Sequence, residues 1–272
     1  MKAGPQLVDR PFQVHVGNIR HGKIVHPVAE CVFNGHGLTL PWLNGELKRE
    51  IRPDGGNNVK TVDVFWSFRS PYSYLATKRL RAMSDKWKVR VRPRPVYPIA
   101  IRTPNFFQEI RPQWVPYLLN DVVRLSQYLG LPLGPLNPDP VVMNMMTREI
   151  AEEQPHIHRL TRLGILACEQ SDETGWAFMD EVSTLIWSGG AWTEGDHLAE
   201  ATARAGLDLA QLDKQQVAEI DRLTAVIEAN QAEQDKYHWG VPLMVFEQEG
   251  FFGQDRIDVL EWRLEQAGVE RA

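Results

Sequence analysis

The sequence of 272 residues predicts an α/β protein in which a β–α–β unit and a closing β–β–α unit flank a long helical insertion, behind a small β-rich N-terminal extension. Three observations predict it. A strand, a tight turn, a helix and a second strand follow one another between Thr61 and Pro95. Apolar residues then recur at helical spacing across residues 113–236, and strand spacing returns after Gly240.

The extension and its linker cover residues 1–60. Phe12 to Val16, Lys23 to Val25 and Cys31 to Phe33 are β-branched or aromatic stretches separated by Gly17-Asn18 and Asn34-Gly35, with Asn44-Gly45 beyond. Such dipeptides between short apolar runs predict hairpins. Pro53-Asp54-Gly55-Gly56-Asn57-Asn58 predicts a turn-rich linker. From Thr61 to Ser67, Val62, Val64 and Trp66 alternate with Asp63 and Phe65, the period of a strand. A helix is predicted from Pro71 to Ser84 and a strand from Lys88 to Pro95, and two strands joined by a crossover helix pair in parallel. Residues 113–236 read as almost wholly helical, clearest over Lys214 to Asp235, where Val217, Ile220, Leu223 and Ile227 make one stripe. Pro242 to Phe246 and Gly250 to Phe252 predict a hairpin, and Asp255 is placed to cap a closing helix that runs to Ala267. This is the element order of a thioredoxin-like domain (61–112 and 237–272) interrupted by a helical domain (113–236).

Composition narrows the function. A net charge of -5 gives no global basic field, so neither nucleic acid nor an anionic membrane is an expected partner. No apolar run reaches the roughly 20 residues of a membrane span. Met1 to Gln6 lacks the apolar core of a secretory signal, so a cytoplasmic setting is expected. There the two cysteines, Cys31 and Cys168, are expected as buried free thiols. His15, His21, His26, Cys31 and His36 are possible zinc ligands, but a five-residue repeat fits no single face of a helix or strand, and no metal site is expected. His156 and His158 are expected in a solvated turn, and Asp172-Glu173 and Glu152-Glu153 on acidic helix faces.

Ser70-Pro71 at the strand-to-helix junction suits a helix start, because serine caps and proline is tolerated at the first helical position. A helix N-terminus also favours anions, thiolates included. Redox enzymes of the thioredoxin fold carry Cys-x-x-Cys at this turn. Here that spacing gives Ser70 and Ser73, and two hydroxyls form no disulfide. The turn remains a platform for a thiol brought from elsewhere. Gly240-Val241-Pro242 lies where the fold places a cis-proline facing the turn, with the main chain of Val241 available to an extended peptide.

Three motifs now carry a family resemblance: Phe68-Arg69-Ser70-Pro71-Tyr72-Ser73-Tyr74-Leu75-Ala76, Gly240-Val241-Pro242, and Phe252-Gly253-Gln254-Asp255-Arg256. Over about Val62 to Ala267 the sequence resembles the 2-hydroxychromene-2-carboxylate isomerases and the kappa-class glutathione transferases, which are DsbA-like thioredoxin folds. The resemblance implies glutathione as cofactor. It implies the catalytic role for Ser70, beside the sulfur, and glutathione contacts from Asn105, Val241, Pro242, Gln254 and Asp255. Phe68, Tyr72 and Trp114, with Trp66, are the candidates for an apolar substrate pocket, the alternative being that aromatics at such positions belong to the core. Members usually hold a lysine where this chain has Trp114, three positions before Tyr117, so a cation is exchanged for an aromatic plane, and Arg102 and Arg111 are the nearby cations.

The activity implied is glutathione-dependent isomerisation of an aromatic-degradation intermediate, a small aromatic or unsaturated carboxylate, by a possible homodimer. A kappa-type transferase, in which the thiol adduct is released, and a non-catalytic DsbA-like binding protein that has lost glutathione are the alternatives.

Overall fold

The computed structural model describes residues 59–144 and 146–272 fully, and of residues 1–58 the backbone of six short strands. Residues 1–58 form one compact unit and 59–272 another. In the first, antiparallel pairs join β1 (Gln13–Val14) to β4 (Ala29–Glu30), β2 (Asn18–Arg20) to β3 (Lys23–Val25), and β5 (Val32–Asn34) to β6 (Gly37–Thr39). His15, His21, His26, Cys31 and His36 lie outside the described residues, among which no cluster suited to a metal ion occurs.

In the second unit a four-stranded sheet has the order β10–β9–β7–β8. The strand β7 (Thr61–Trp66) runs parallel to β8 (Arg90–Pro95) and antiparallel to β9 (Leu243–Phe246), which forms a hairpin with β10 (Glu249–Phe252). The alternation read in β7 has a cause on each face: Val62, Val64 and Trp66 enter the main core, while Asp63 binds Arg92 by two contacts, one at 2.8 Å. Phe65 is buried too, in a smaller cluster with Val96, Leu243 and Val245. The hairpin turns on Glu247 and Gln248, both at positive φ (48° and 68°), the handedness that matches the twist of the strands.

Between β7 and β8 lie α1 (Pro71–Arg81) and the short α2 (Met83–Lys86). After β8 come α3 (Ile99–Arg102), α4 (Phe106–Glu109) and α5 (Trp114–Leu129). The rest of the insertion is α6 (Pro155–Gln170), α7 (Asp172–Trp187), α8 (His197–Arg204), α9 (Leu209–Ala218) and α10 (Ile220–Gln234), and α11 (Ile257–Gln266) closes the chain. No helix among the described residues is long and apolar enough to cross a membrane.

Four expectations are corrected. The insertion is not helical throughout: most of residues 131–154 lies outside helices, and prolines at 132, 135, 138 and 140 remove the donors a helix needs. The helix expected over Lys214 to Asp235 breaks at Glu219 (φ -120°, ψ 27°), so Leu223 and Ile227 are buried while Val217 and Ile220 face solvent. Asp255 does not cap α11; it sits in a 3₁₀ turn, Gln254–Arg256, that leads into the helix. His156 and His158 lie in the first turn of α6 and pack against Trp192 and Tyr97, with ring centres 5.2 and 4.9 Å apart.

Candidate functional site

Ser70 occupies the N-cap of α1 in extended conformation (φ -91°, ψ 116°). Its Oγ accepts the Ser73 N–H at 3.2 Å and its hydroxyl donates to the Val241 carbonyl at 3.1 Å. Pro71 has no N–H, and the Tyr74 N–H donates to the Ser70 carbonyl. The Tyr72 N–H is then the donor of this helix start without a partner among the described residues. Ser73 differs sharply from Ser70: it is buried, and its carbonyl accepts from Trp66 Nε1 at 3.0 Å. Cys168, the cysteine among the described residues, is far from this role, because its thiol is buried against Gly175 and burial pushes its pKa well above the ordinary thiol value.

The Val241–Pro242 bond is cis. Around it the main-chain groups are almost fully committed. The Gly240 N–H donates to His238 Nδ1 and the Gly240 carbonyl accepts from Gln234 Nε2, each at 2.9 Å. The Pro242 carbonyl accepts from the Gly253 N–H at 2.9 Å, and Ser70 holds the Val241 carbonyl. The Val241 N–H alone has no partner among the described residues. Of the two Val241 groups expected to face an extended ligand, one is open and the other is covered by a hydroxyl that can rotate away.

Gln254 is buried under α1, where its carbonyl and side-chain oxygens both accept from Arg79. Asp255 is exposed beside Arg256, at 3.2 Å, and its charge reaches both Arg79 and Tyr72. The third motif therefore meets α1, the helix that the first motif opens, through Arg79, a contact that was not visible in the spacing. The Tyr72 hydroxyl donates to Asp121 at 2.8 Å. Burial, then this bond, holds the Tyr72 phenol well above its ordinary pKa, which keeps it a neutral donor.

The expected aromatic pocket is partly corrected. Phe68 is not a pocket wall: it is 1% exposed and packs edge-on against Trp66 and Phe178, with centroids 4.7 and 6.0 Å away. Trp66 is equally buried. Tyr72 is half-buried, with its hydroxyl tied to Asp121. Trp114 does line one, an open cleft of about 790 Å³ walled by Phe106, Glu109, Ile110, Arg111, Gln113, Tyr117 and Trp239. Phe106 lies 6.0 Å from Trp114 and 5.3 Å from Trp239. Asn105 directly precedes Phe106, with its exposed side chain in no hydrogen bond among the described residues. Trp239, three residues before Pro242, leads the cleft wall into the Ser70–Val241 turn, and its ring stacks toward His238 (5.0 Å) and Phe252 (6.1 Å). Phe106, Trp239 and His238 were missed in sequence; the run His238-Trp239-Gly240 beside the proline was the available signal.

A serine-capped helix start faces a cis-proline loop, and a model of the DsbA-like thioredoxin domain matches residues 61–265. The chain belongs to that family. Among solved structures this DsbA-like protein is similar to a 2-hydroxychromene-2-carboxylate isomerase (21% identity over 76% of this chain and 95% of that one, TM-score 0.57). It is also similar to the cytosolic disulfide reductase DsbM from Pseudomonas aeruginosa (18% identity, 76% and 99% covered, TM-score 0.48). No curated protein matches the sequence. At these identities the likeness is one of fold. Fold likeness leaves chemistry to the site, and this DsbA-like turn carries hydroxyls where dithiol exchange would need two thiols.

Proposed function

We propose that this DsbA-like protein is a glutathione-dependent isomerase of the 2-hydroxychromene-2-carboxylate isomerase type, acting on an unsaturated carboxylate from aromatic degradation. One observation carries the reading: Ser70, a hydroxyl in place of a nucleophilic thiol, stands at a helix start where the Tyr72 and Val241 N–H groups have no partner among the described residues. The residues suit glutathione. A tripeptide backbone can pair with Val241, the exposed Asp255 carboxylate can receive an ammonium, and Gln254, held by Arg79, fixes the segment that carries it. Asn105, whose side-chain amide makes no hydrogen bond among the described residues, would be the further contact on the cleft side. Bound glutathione supplies a thiol that adds to a conjugated double bond and later leaves, so that the bond rotates in between.

The protein's own work is to hold negative charge on that sulfur. Ser70 would swing its proton from the Val241 carbonyl to the thiolate, the Tyr72 N–H would donate beside it, and the N-terminus of α1 adds its positive end. The same swing would release the Val241 carbonyl for the ligand's own N–H. Tyr72, neutral and anchored to Asp121, would orient the turn and take no proton.

The test couples calorimetric titration with glutathione to chromatography of a hydroxychromene carboxylate and its open benzylidenepyruvate. Isomer interconversion at constant thiol is expected. Stoichiometric loss of thiol would make the protein a transferase, and no glutathione binding at several millimolar would leave a binding protein without this chemistry.

A further inference from the structure

The aromatic cleft carries a cation that the turn chemistry does not use. Arg111 lines it beside Trp114, whose N–H donates to the Arg111 carbonyl at 3.0 Å, and no acid pairs with its guanidinium among the described residues. The neighbouring arginines are committed. Arg102 is bound to Asp235 (3.2 Å) and to the carbonyl of Trp239, and Arg148 donates to the Phe107 carbonyl at 3.0 Å. Glu109 is the acid that shares the cleft, and it too makes no ion pair among the described residues. The same cleft is lined by Phe106, Trp114, Tyr117 and Trp239, drawn from three separate segments.

We propose that Arg111 is the specificity-determining residue of this cleft, pairing with the anionic group of a flat aromatic ligand whose ring lies against Trp114 and Trp239. A guanidinium presents parallel donors that match a carboxylate, and the aromatic faces of the same cleft can stack a flat ring. The ring-lined space then selects planar ligands, while Arg111 selects charge. Glu109 opposes the same anion and sets an upper limit on its affinity. The inference deepens the isomerase reading by giving the substrate's carboxylate a partner where Trp114 offers none, yet it concerns binding that needs no glutathione.

The experiment is calorimetric titration of the protein, without glutathione, with 2-naphthoate and with its neutral counterpart 2-naphthamide. Naphthoate is expected to bind more tightly than naphthamide. Arg111→Gln is expected to weaken naphthoate by about ten-fold or more, the usual worth of one charge-assisted bond, and to leave naphthamide unchanged. Arg111→Lys should fall between, and Glu109→Gln should tighten naphthoate. Equal affinities for the two probes, no naphthoate binding, or indifference to Arg111→Gln each overturn the proposal. Because Arg111 is exposed, its variants are expected to fold, which circular dichroism checks. If naphthoate behaves as expected while glutathione neither binds nor supports turnover, the isomerase reading alone fails. If turnover is present but Arg111→Gln changes neither naphthoate binding nor KM, the Arg111 assignment alone fails.

Discussion

Replacing Ser70 by alanine removes two hydrogen bonds with one atom, and their separate worth can be worked out. The bond from the Ser73 N–H to Ser70 Oγ, 3.2 Å, is a helix cap, and losing one costs about 1 kcal/mol. The bond from the Ser70 hydroxyl to the Val241 carbonyl, 3.1 Å, joins the helix to the cis-proline loop across the sheet, and a neutral bond of this kind contributes about 1 kcal/mol. The sum, roughly 2 kcal/mol, corresponds to a fall in Tm of about 4–8 °C for a domain of this size. Ser70→Thr keeps both the acceptor and the donor and is expected to recover most of that. Turnover has a different scale. If Ser70 donates to a thiolate, its removal costs about 100- to 1000-fold in kcat, the usual effect of losing one donor aimed at developing charge. Thermal denaturation and the isomerase assay are run on the same three proteins. A Tm loss near the stated size with unchanged kcat would reduce Ser70 to a structural cap. An unchanged Tm would refute the bond accounting itself.

Three further outcomes follow from the packing. In Gly175→Ala the added methyl would meet Cys168 Sγ at 2.7 Å and Cys168 Cα at 3.0 Å. Overpacking of about 1–3 kcal/mol there outweighs the ~1 kcal/mol gained in helix propensity. Chemical denaturation should show net loss, partly relieved by adding Cys168→Ala. Tyr72→Phe leaves Asp121 with Arg124 (3.1 Å) and should cost about 1 kcal/mol in denaturant unfolding. It should leave any pH–rate profile unmoved, since the Tyr72 phenol stays neutral. Burial lowers the pKa of His156, His158 and His238, so the unfolded chain binds protons first on acidification. Stability should be full above the ordinary histidine value of about 6.5 and fall as pH drops through the lowered values, and equal Tm at about pH 5 and pH 7.5 would count against this.

How much of this was legible depended on whether one segment carried the whole signal. The strand β7 was legible because its alternation and its burial coincide at Val62, Val64 and Trp66. The Ser70-Pro71 cap was legible because both residues act within one helical turn. The break at Glu219 was not, since an apolar stripe gives a period and not the point where the axis changes. The prolines at 132, 135, 138 and 140 did announce irregular chain, and reading the whole insertion as helical passed over them. Phe68 failed as a pocket wall for a related reason: a motif names a residue but does not say which way it points. The cleft itself joins Phe106, Trp114 and Trp239 from three segments, a proximity that no single window contains.

The insertion belongs to the site and is no mere appendage. Four residues of the first motif are gripped by it. Trp187 Nε1 donates to the Phe68 carbonyl at 3.0 Å, and Arg69 makes a two-pronged contact with Asp139 at 2.5 and 2.6 Å while lying 5.6 Å above the Trp187 ring. Tyr72 reaches Asp121, and the Tyr74 hydroxyl donates to the Pro132 carbonyl at 2.6 Å. From the sheet side, by contrast, the Ser70 hydroxyl meets one group, the Val241 carbonyl. A turn held so firmly from outside can release that single inner bond without moving its backbone. Preorganised surroundings with one exchangeable hydrogen bond are what a site needs to accept a thiolate at little reorganisation cost. The rigidity comes from the helical insertion, and the exchangeable bond comes from the thioredoxin-like half.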